Sequence, residues 1–312
     1  MKAKLARIAG LAFAFAAMLA VALVAAPGRA EATVSSCTLT TAGIAFSPYN
    51  TQTRAAVDGT GTITVECFGN QNNNTVSIHL TGGISTTCVD RTMRSGTNNL
   101  VYNLFRSAAR SGDHFCNGLN RVELVFDLRN GGRQTQTITV YGRVNASQNP
   151  IFSSTPYTDS LTATARSGTS STGSFLGSTV FDVSGSVAAI CSVSAGTLGF
   201  GAYSGTSVNA TAAVSVSCTS GAPYQIAMGG GSNQSGSARR MAGPASNFLT
   251  YQLYSDSARV TLWGDGSAQL GARHGGTGSG SAQSLTVYGR IPAGQSPAAG
   301  SYSDSVTVTI EY

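Results

Sequence analysis

After Lys4 the chain contains no lysine, and charged residues of every kind make up only 10% of it. The formal charge of +6 is concentrated at the start: four of the 19 basic and one of the 13 acidic residues fall within residues 1–32. What remains is fifteen basic against twelve acidic groups, too even a balance for a nucleic-acid surface. No C-x-x-C pair or Cys/His cluster occurs, which argues against a zinc site. There is no G-x-S-x-G elbow, and His79, His114 and His274 are scattered, so no hydrolytic triad is expected. The glycine-rich Gly275–Ser281 lacks the lysine and helix of a phosphate loop and reads as a flexible turn. No convincing helical period is present, and beyond the first segment no stretch is apolar enough to span a bilayer. An enzyme, a cofactor and a membrane span are therefore not expected.

What is present begins with an export signal. Lys2, Lys4 and Arg7 precede an apolar run from Ile8 to Ala26, and Ala30-Glu31-Ala32 supplies a small-x-small cleavage site. Residues 1–32 are read as a signal peptide, which sends the rest of the chain out of the cytoplasm. Cys37, Cys67, Cys88, Cys116, Cys191 and Cys218 are even in number, and in an exported chain they imply disulfides.

The exported part is written twice. CTLTTAGIAFSPYNTQTRAAVDGTGTITVEC (Cys37 to Cys67) matches CSVSAGTLGFGAYSGTSVNATAAVSVSC (Cys191 to Cys218), and TITVYGRVNASQNPIFSSTPYTDSLTATA matches SLTVYGRIPAGQSPAAGSYSDSVTVTI. Each copy consists of short alternating strands between Gly, Asn, Pro and Ser turns, which predicts an all-β protein of two immunoglobulin-like sandwiches. The expected bounds are 33–166 for the first, 167–176 for a Gly/Ser/Thr-rich linker and 177–312 for the second. Pairing within copies joins Cys191 to Cys218. By analogy it joins Cys37 to Cys67 and leaves Cys88 for Cys116, with the first copy's other pairings open. Each closed loop of about 30 residues contributes on the order of 3–4 kcal/mol in the chain-entropy account. Tyr141/Tyr288, Arg143/Arg290 and Asp159/Asp304 recur in both copies and are read as scaffold. Arg91, Arg94, Arg106 and Arg110 gather near the second cysteine pair of copy one and are read as a solvated face.

The cysteine-spaced opening, the VYGR strand and the final Y-x-D-S-V-x-V-x-I strand resemble the spore coat protein U domain, over nearly all of both copies. That family includes subunits of archaic chaperone–usher pili, whose pilin domains lack one strand. A periplasmic chaperone supplies it first and a neighbouring subunit then replaces it. The resemblance thus implies partners: a periplasmic chaperone, an outer-membrane usher and the next subunit.

Two segments fit that scheme. STVFDVSGSVAAIC, before Cys191, alternates so that Phe181, Val183, Gly185 and Val187 share one face, as a donor strand must. It either serves another sandwich or returns to complete copy one. At the end of copy two, Val306, Val308 and Ile310 alternate with Thr307, Thr309 and Glu311, a half-buried strand that needs a neighbour. Only Thr33–Ser36 precede Cys37 in the expected mature chain, so copy one is expected to offer no donor and to lie at the distal end of a fibre. In one loop Ile151 and Phe152 replace Ala298 and Ala299, which marks them as an expected adhesive contact with an unidentified surface or host receptor. The expected function is a cell-surface pilus subunit, a tip adhesin serving attachment and biofilm formation. The alternative is a non-fibrous secreted coat or matrix protein with two self-contained domains.

Overall fold

The computed structural model describes residues 34–70 and 72–312; the signal segment expected at 1–32 lies outside the described residues. The described chain is nearly all β, with eighteen strands and two short 3-10 turns. Among the described residues, no helix is long and apolar enough to cross a membrane.

The first sandwich is built from β1 (Val34–Ala42), β2 (Ile44–Ala45), β3 (Val57–Gly69), β4 (Asn74–Leu80), β5 (Arg91–Ser95), β6 (Asn98–Phe105), β7 (Val122–Phe126), β8 (Arg133–Val144), β9 (Tyr157–Ser167) and β10 (Phe175–Gly185). Strands pair in the order β1-β3-β8-β6-β5-β9-β10-β2, with β4 joining β7 to β9. Between β5 and β9 the ladder thins to one pair, Arg94 with Thr158, so the path divides there into two layers. The alternation that makes β9 a strand also aims it: Tyr157, Asp159, Leu161, Ala163 and Ala165 point inward while Thr158, Ser160 and Thr162 face water. Residues from both layers, among them Ile63, Val65, Val140, Ile78 and Phe181, form one core.

The second sandwich repeats this with β11 (Cys191–Ala195), β12 (Val208–Cys218), β13 (Pro223–Met228), β14 (Arg239–Ala242), β15 (Phe248–Tyr254), β16 (His274–Thr277), β17 (Ala282–Ile291) and β18 (Val308–Glu311). One layer is β11-β12-β17-β15-β14, the counterpart of β1-β3-β8-β6-β5; the other is β16-β13-β18, the counterpart of β7-β4-β9. The first copy's second layer continues through β10 and β2, and the second copy's stops at β18.

Disulfides join Cys37 to Cys67, Cys88 to Cys116 and Cys191 to Cys218. The first and third link directly opposed residues of neighbouring strands. Both copies also seat a buried arginine under a crossing. Arg91 donates to the carbonyls of Cys88, Thr81 and Phe115, and Arg239 to those of Gly229, Met228 and Trp263. Arg91 is fully buried, which corrects the solvated-face expectation for that residue. Its head satisfies main-chain oxygens that no strand reaches, an arrangement in which a charge can be buried.

Two expected boundaries differ as well. Residues 167–176 are no free linker: they turn β9 into β10, with Ser167 N donating to Ser174 O at 2.9 Å and Arg166 Nη1 to Gly173 O at 3.0 Å. The strand containing Phe181, assigned by sequence to the second domain, packs in the first core. A Gly/Ser/Thr-rich stretch has the same composition whether it is a tether or a hairpin turn, which is why its sequence misleads. Likewise Gly275–Thr277, expected as a flexible turn, pairs with β13 as part of β16.

Phe181 has no exposed surface, so Phe181→Ala should destabilise the first sandwich by about 3–5 kcal/mol, readable in its denaturant transition. Burial, followed by the charges of Arg121 and Arg166, holds His79 below its ordinary pKa. It stays neutral in the fold and charges in the unfolded chain, so stability is full above about pH 6.5 and declines as pH falls below it. The unfolding midpoint of the native sequence should fall more between pH 7.5 and 5.5 than that of His79→Gln; parallel curves would contradict this.

Candidate functional site

In the first sandwich one groove is filled by its own chain. There β10 lies between β9 and β2, antiparallel to one and parallel to the other. Phe181 opposes Leu161, and Val183 opposes both Asp159 and Ile44. The chain beyond β2 keeps hold of it: Phe46 N donates to Ser184 O at 2.8 Å, Tyr49 N to Ser186 O at 2.8 Å, and Ala188 N to Tyr49 O at 2.9 Å. Phe181, Val183, Gly185 and Val187 all point into the core, and Ile44, Phe46, Leu161, Ala163 and Ala165 are buried with them. The donor-like face read from sequence is therefore engaged within its own chain.

At the corresponding place the second sandwich has a groove. The segment 198–203 repeats 44–49, and Val306, Val308 and Ile310 repeat Leu161, Ala163 and Ala165. Among the described residues no strand pairs with 198–203 or with the edge of β18 away from β13. Between them opens a cavity of about 370 Å³ lined by Leu198, Phe200, Tyr251, Leu253, Val306 and Val308. Val306, Val308 and Ile310 are only half-buried, whereas their counterparts in copy one are fully buried. Among the described residues, no equivalent of β10 covers Val306, Val308 and Ile310. An apolar trough with an unpaired strand edge offers both elements of strand addition, main-chain hydrogen bonds along the edge and alternate side chains into the floor.

Hydrogen bonds tie down one side of this trough. Asp304 accepts from Tyr251 Oη at 2.7 Å and from Ser232 N at 2.8 Å; in copy one Asp159 accepts from Tyr102 Oη at 2.6 Å and Ile84 N at 2.8 Å. Burial, then donation to Asp304, raises the Tyr251 phenol well above its ordinary value. Gly83 and Gly231, at φ of 70° and 82°, face these carboxylates, where any side chain would collide with them. The shared tyrosines and aspartates thus fix the strand that forms one wall of the groove.

The expected adhesive loop lies elsewhere than at a free end. Phe152 N donates to Ser220 O at 2.7 Å, and Ile151 packs over Gly221, both in the second copy. Thr51 and Thr219 join hydroxyls across the same junction at 3.1 Å. Ile151 and Phe152 replace the alanines of the other copy where the first sandwich abuts the second, which corrects their reading as a distal contact. The opposite pole carries features the sequence reading missed. Val57 pairs with Val144 at the junction end and Phe68 with Arg133 at the other, eleven residues and about 36 Å along β3. Phe68 is 39% exposed beneath the Arg133 guanidinium, and Phe175, where β10 begins, is 61% exposed. Only the strand register reveals that these residues share the pole remote from the second sandwich.

The Spore Coat Protein U domain matches residues 22–164 and 178–309. Protein U of Myxococcus xanthus is 34% identical over 145 residues, 40% of this chain and 79% of that protein. Among solved structures, the CsuC-CsuE chaperone-tip adhesion subunit pre-assembly complex from archaic chaperone-usher Csu pili of Acinetobacter baumannii aligns over 89% of this chain and 100% of its own, at 16% identity and TM-score 0.46. The CupB6 tip adhesin from Pseudomonas aeruginosa aligns over 90% and 95%, at 12% identity and TM-score 0.37.

Tyr251→Phe leaves the Asp304 carboxylate without its phenolic donor and should lower the stability of the second sandwich by about 1–3 kcal/mol, measured by its unfolding midpoint.

Proposed function

The chain belongs to the Spore Coat Protein U domain family, and we propose on that footing that it is an exported structural subunit of a chaperone–usher fibre, set at the fibre's tip. The observation that carries this is the unequal treatment of one groove in two copies of one fold: filled by β10 in the first sandwich, open beside β18 in the second. A sandwich filled by its own chain has no place for a neighbour's strand, so strand exchange proceeds only through the second. A periplasmic chaperone lends a strand to that groove, and the extension of the next subunit replaces it at the outer-membrane usher. The first sandwich then faces outward at the cell surface. Its remote pole, with Phe68 and Phe175 exposed, is the surface that meets a substratum or host receptor and supports biofilm formation.

A coat role is the second reading, favoured by the family's description and by the 34% identity to Protein U. The groove separates the two. Val306→Asp with Val308→Asp should abolish co-purification with a chaperone while the first sandwich keeps its own unfolding transition. Undiminished capture would contradict the fibre reading. Phe68→Ser with Phe175→Ser should cut surface attachment several-fold with fibre assembly intact, and unchanged attachment would dismiss that pole.

A further inference from the structure

The two copies share backbone register closely enough to be compared residue by residue around the groove. Gly61 opposes Val140 in the first sandwich, and Ala212 opposes Val287 at the same place in the second. Ala42 opposes Thr62; correspondingly, Gly196 N bonds Ala213 O at 2.9 Å. That makes Thr197 the counterpart of Gly43 and Ala212 the counterpart of Gly61. These are the points at which the first sandwich makes room for β10.

At Gly61 an added Cβ would stand 2.6 Å from the Ala42 carbonyl oxygen of the same wall and 2.9 Å from both Ile44 Cγ1 and Phe181 Cζ, closer than real Cβ atoms come. At Gly43 an added Cβ would run into the main-chain carbonyl of Asp182, the residue after Phe181. The fully buried Phe181 ring thus depends on Gly61, and the close approach of its backbone depends on Gly43. The second sandwich has a methyl group where the ring would lie and a β-branched side chain where the backbone would pass. Ala212 packs against the second core, and Thr197 lines the open groove. Ala212 is half-buried and Thr197 exposed in the open groove; once a strand covers them, such additions cannot be absorbed without displacing neighbours.

We infer that the second groove selects its strand by size. The occupant is an extended strand of another polypeptide whose side chain opposite Val306 is no larger than valine. The chain's own β10 sequence, with phenylalanine at that register, is rejected. This rests on the groove being a strand acceptor. Such a filter sorts β10 to the first sandwich during folding and stops one copy of the chain from capturing the β10 of another, which would link tip subunits to each other.

The test uses the full chain with a copy of Gly168–Val187 fused after Tyr312. Tyr312 is the register counterpart of Ser167, so the fusion repeats the β9–β10 hairpin. One version retains phenylalanine in the appended copy; the other carries Phe181→Val there only. Both are made in the native chain and in Ala212→Gly with Thr197→Gly, and the melting temperature of the second sandwich is read by calorimetry. Comparison within each background removes the intrinsic cost of the glycines. In the native chain the valine version should raise the transition by about 10 °C and the phenylalanine version by less than half of that. In the glycine background the order should reverse. Equal stabilisation by both versions, or a larger effect of phenylalanine in the native chain, would overturn the size filter and leave the strand-acceptor reading intact. If neither version raises the transition in either background, the groove takes no strand and both conclusions fall.

Discussion

The structure turns on how one strand edge is satisfied. β9 and its counterpart β18 each present a row of main-chain donors and acceptors beside an apolar trough, and neither can be left in that state without consequence. In the first sandwich the chain folds back through the Ser167–Phe175 turn and lays β10 along the edge, so that pairing and burial are completed together. Phe181 fills the trough while the carbonyls of Ser184 and Ser186 receive the amides of Phe46 and Tyr49. The remaining features of this sandwich, including the Arg91 clamp and the Tyr102–Asp159 contact, hold the walls of that seat in place.

The second sandwich keeps the same walls around an unfilled seat. Its disulfide, its buried Arg239 and its Tyr251–Asp304 pair repeat those of the first, so the opening is set within a cross-linked and hydrogen-bonded frame. Apolar side chains that copy one buries stay half-exposed here, and the stabilisation that burying them would provide becomes available to whatever strand arrives. On the proposed reading, the assembly interface of this protein is an omitted element of its own fold. Ala212 and Thr197 stand in this groove where the first copy has Gly61 and Gly43, and on the size-filter reading they would give that interface a preference as well as a place.

Much of this was legible in the sequence, and the exceptions have identifiable physical causes. Period-two alternation in segments such as Leu161–Ala165 announces strands because a half-buried sheet imposes it; in the stretch expected to be a strand from Val306, the strand itself begins at Val308. The internal repeat announces two sandwiches, and the face shared by Phe181, Val183, Gly185 and Val187 announces a strand suited to a groove. Composition could not say which groove, because a Gly/Ser/Thr run has the same character as tether or as turn. Ile151 and Phe152 looked like a free apolar tip because the neighbour that meets them, Ser220–Gly221, belongs to the other copy. Arg91 looked solvated because its partners are main-chain carbonyls, to which sequence is blind. The exposed pole at Phe68 and Phe175 appears only once strand register shows which ends lie together.

Native-state hydrogen exchange on the full chain tests the central asymmetry most directly, since amide protection reports which strand edges are paired. The account predicts strong protection for the β9 amides that face β10, and rapid exchange for the amides of Val306–Glu311 that face away from β13. Equal, strong protection of both sets in the isolated chain would mean that the second sandwich is closed, and would contradict it.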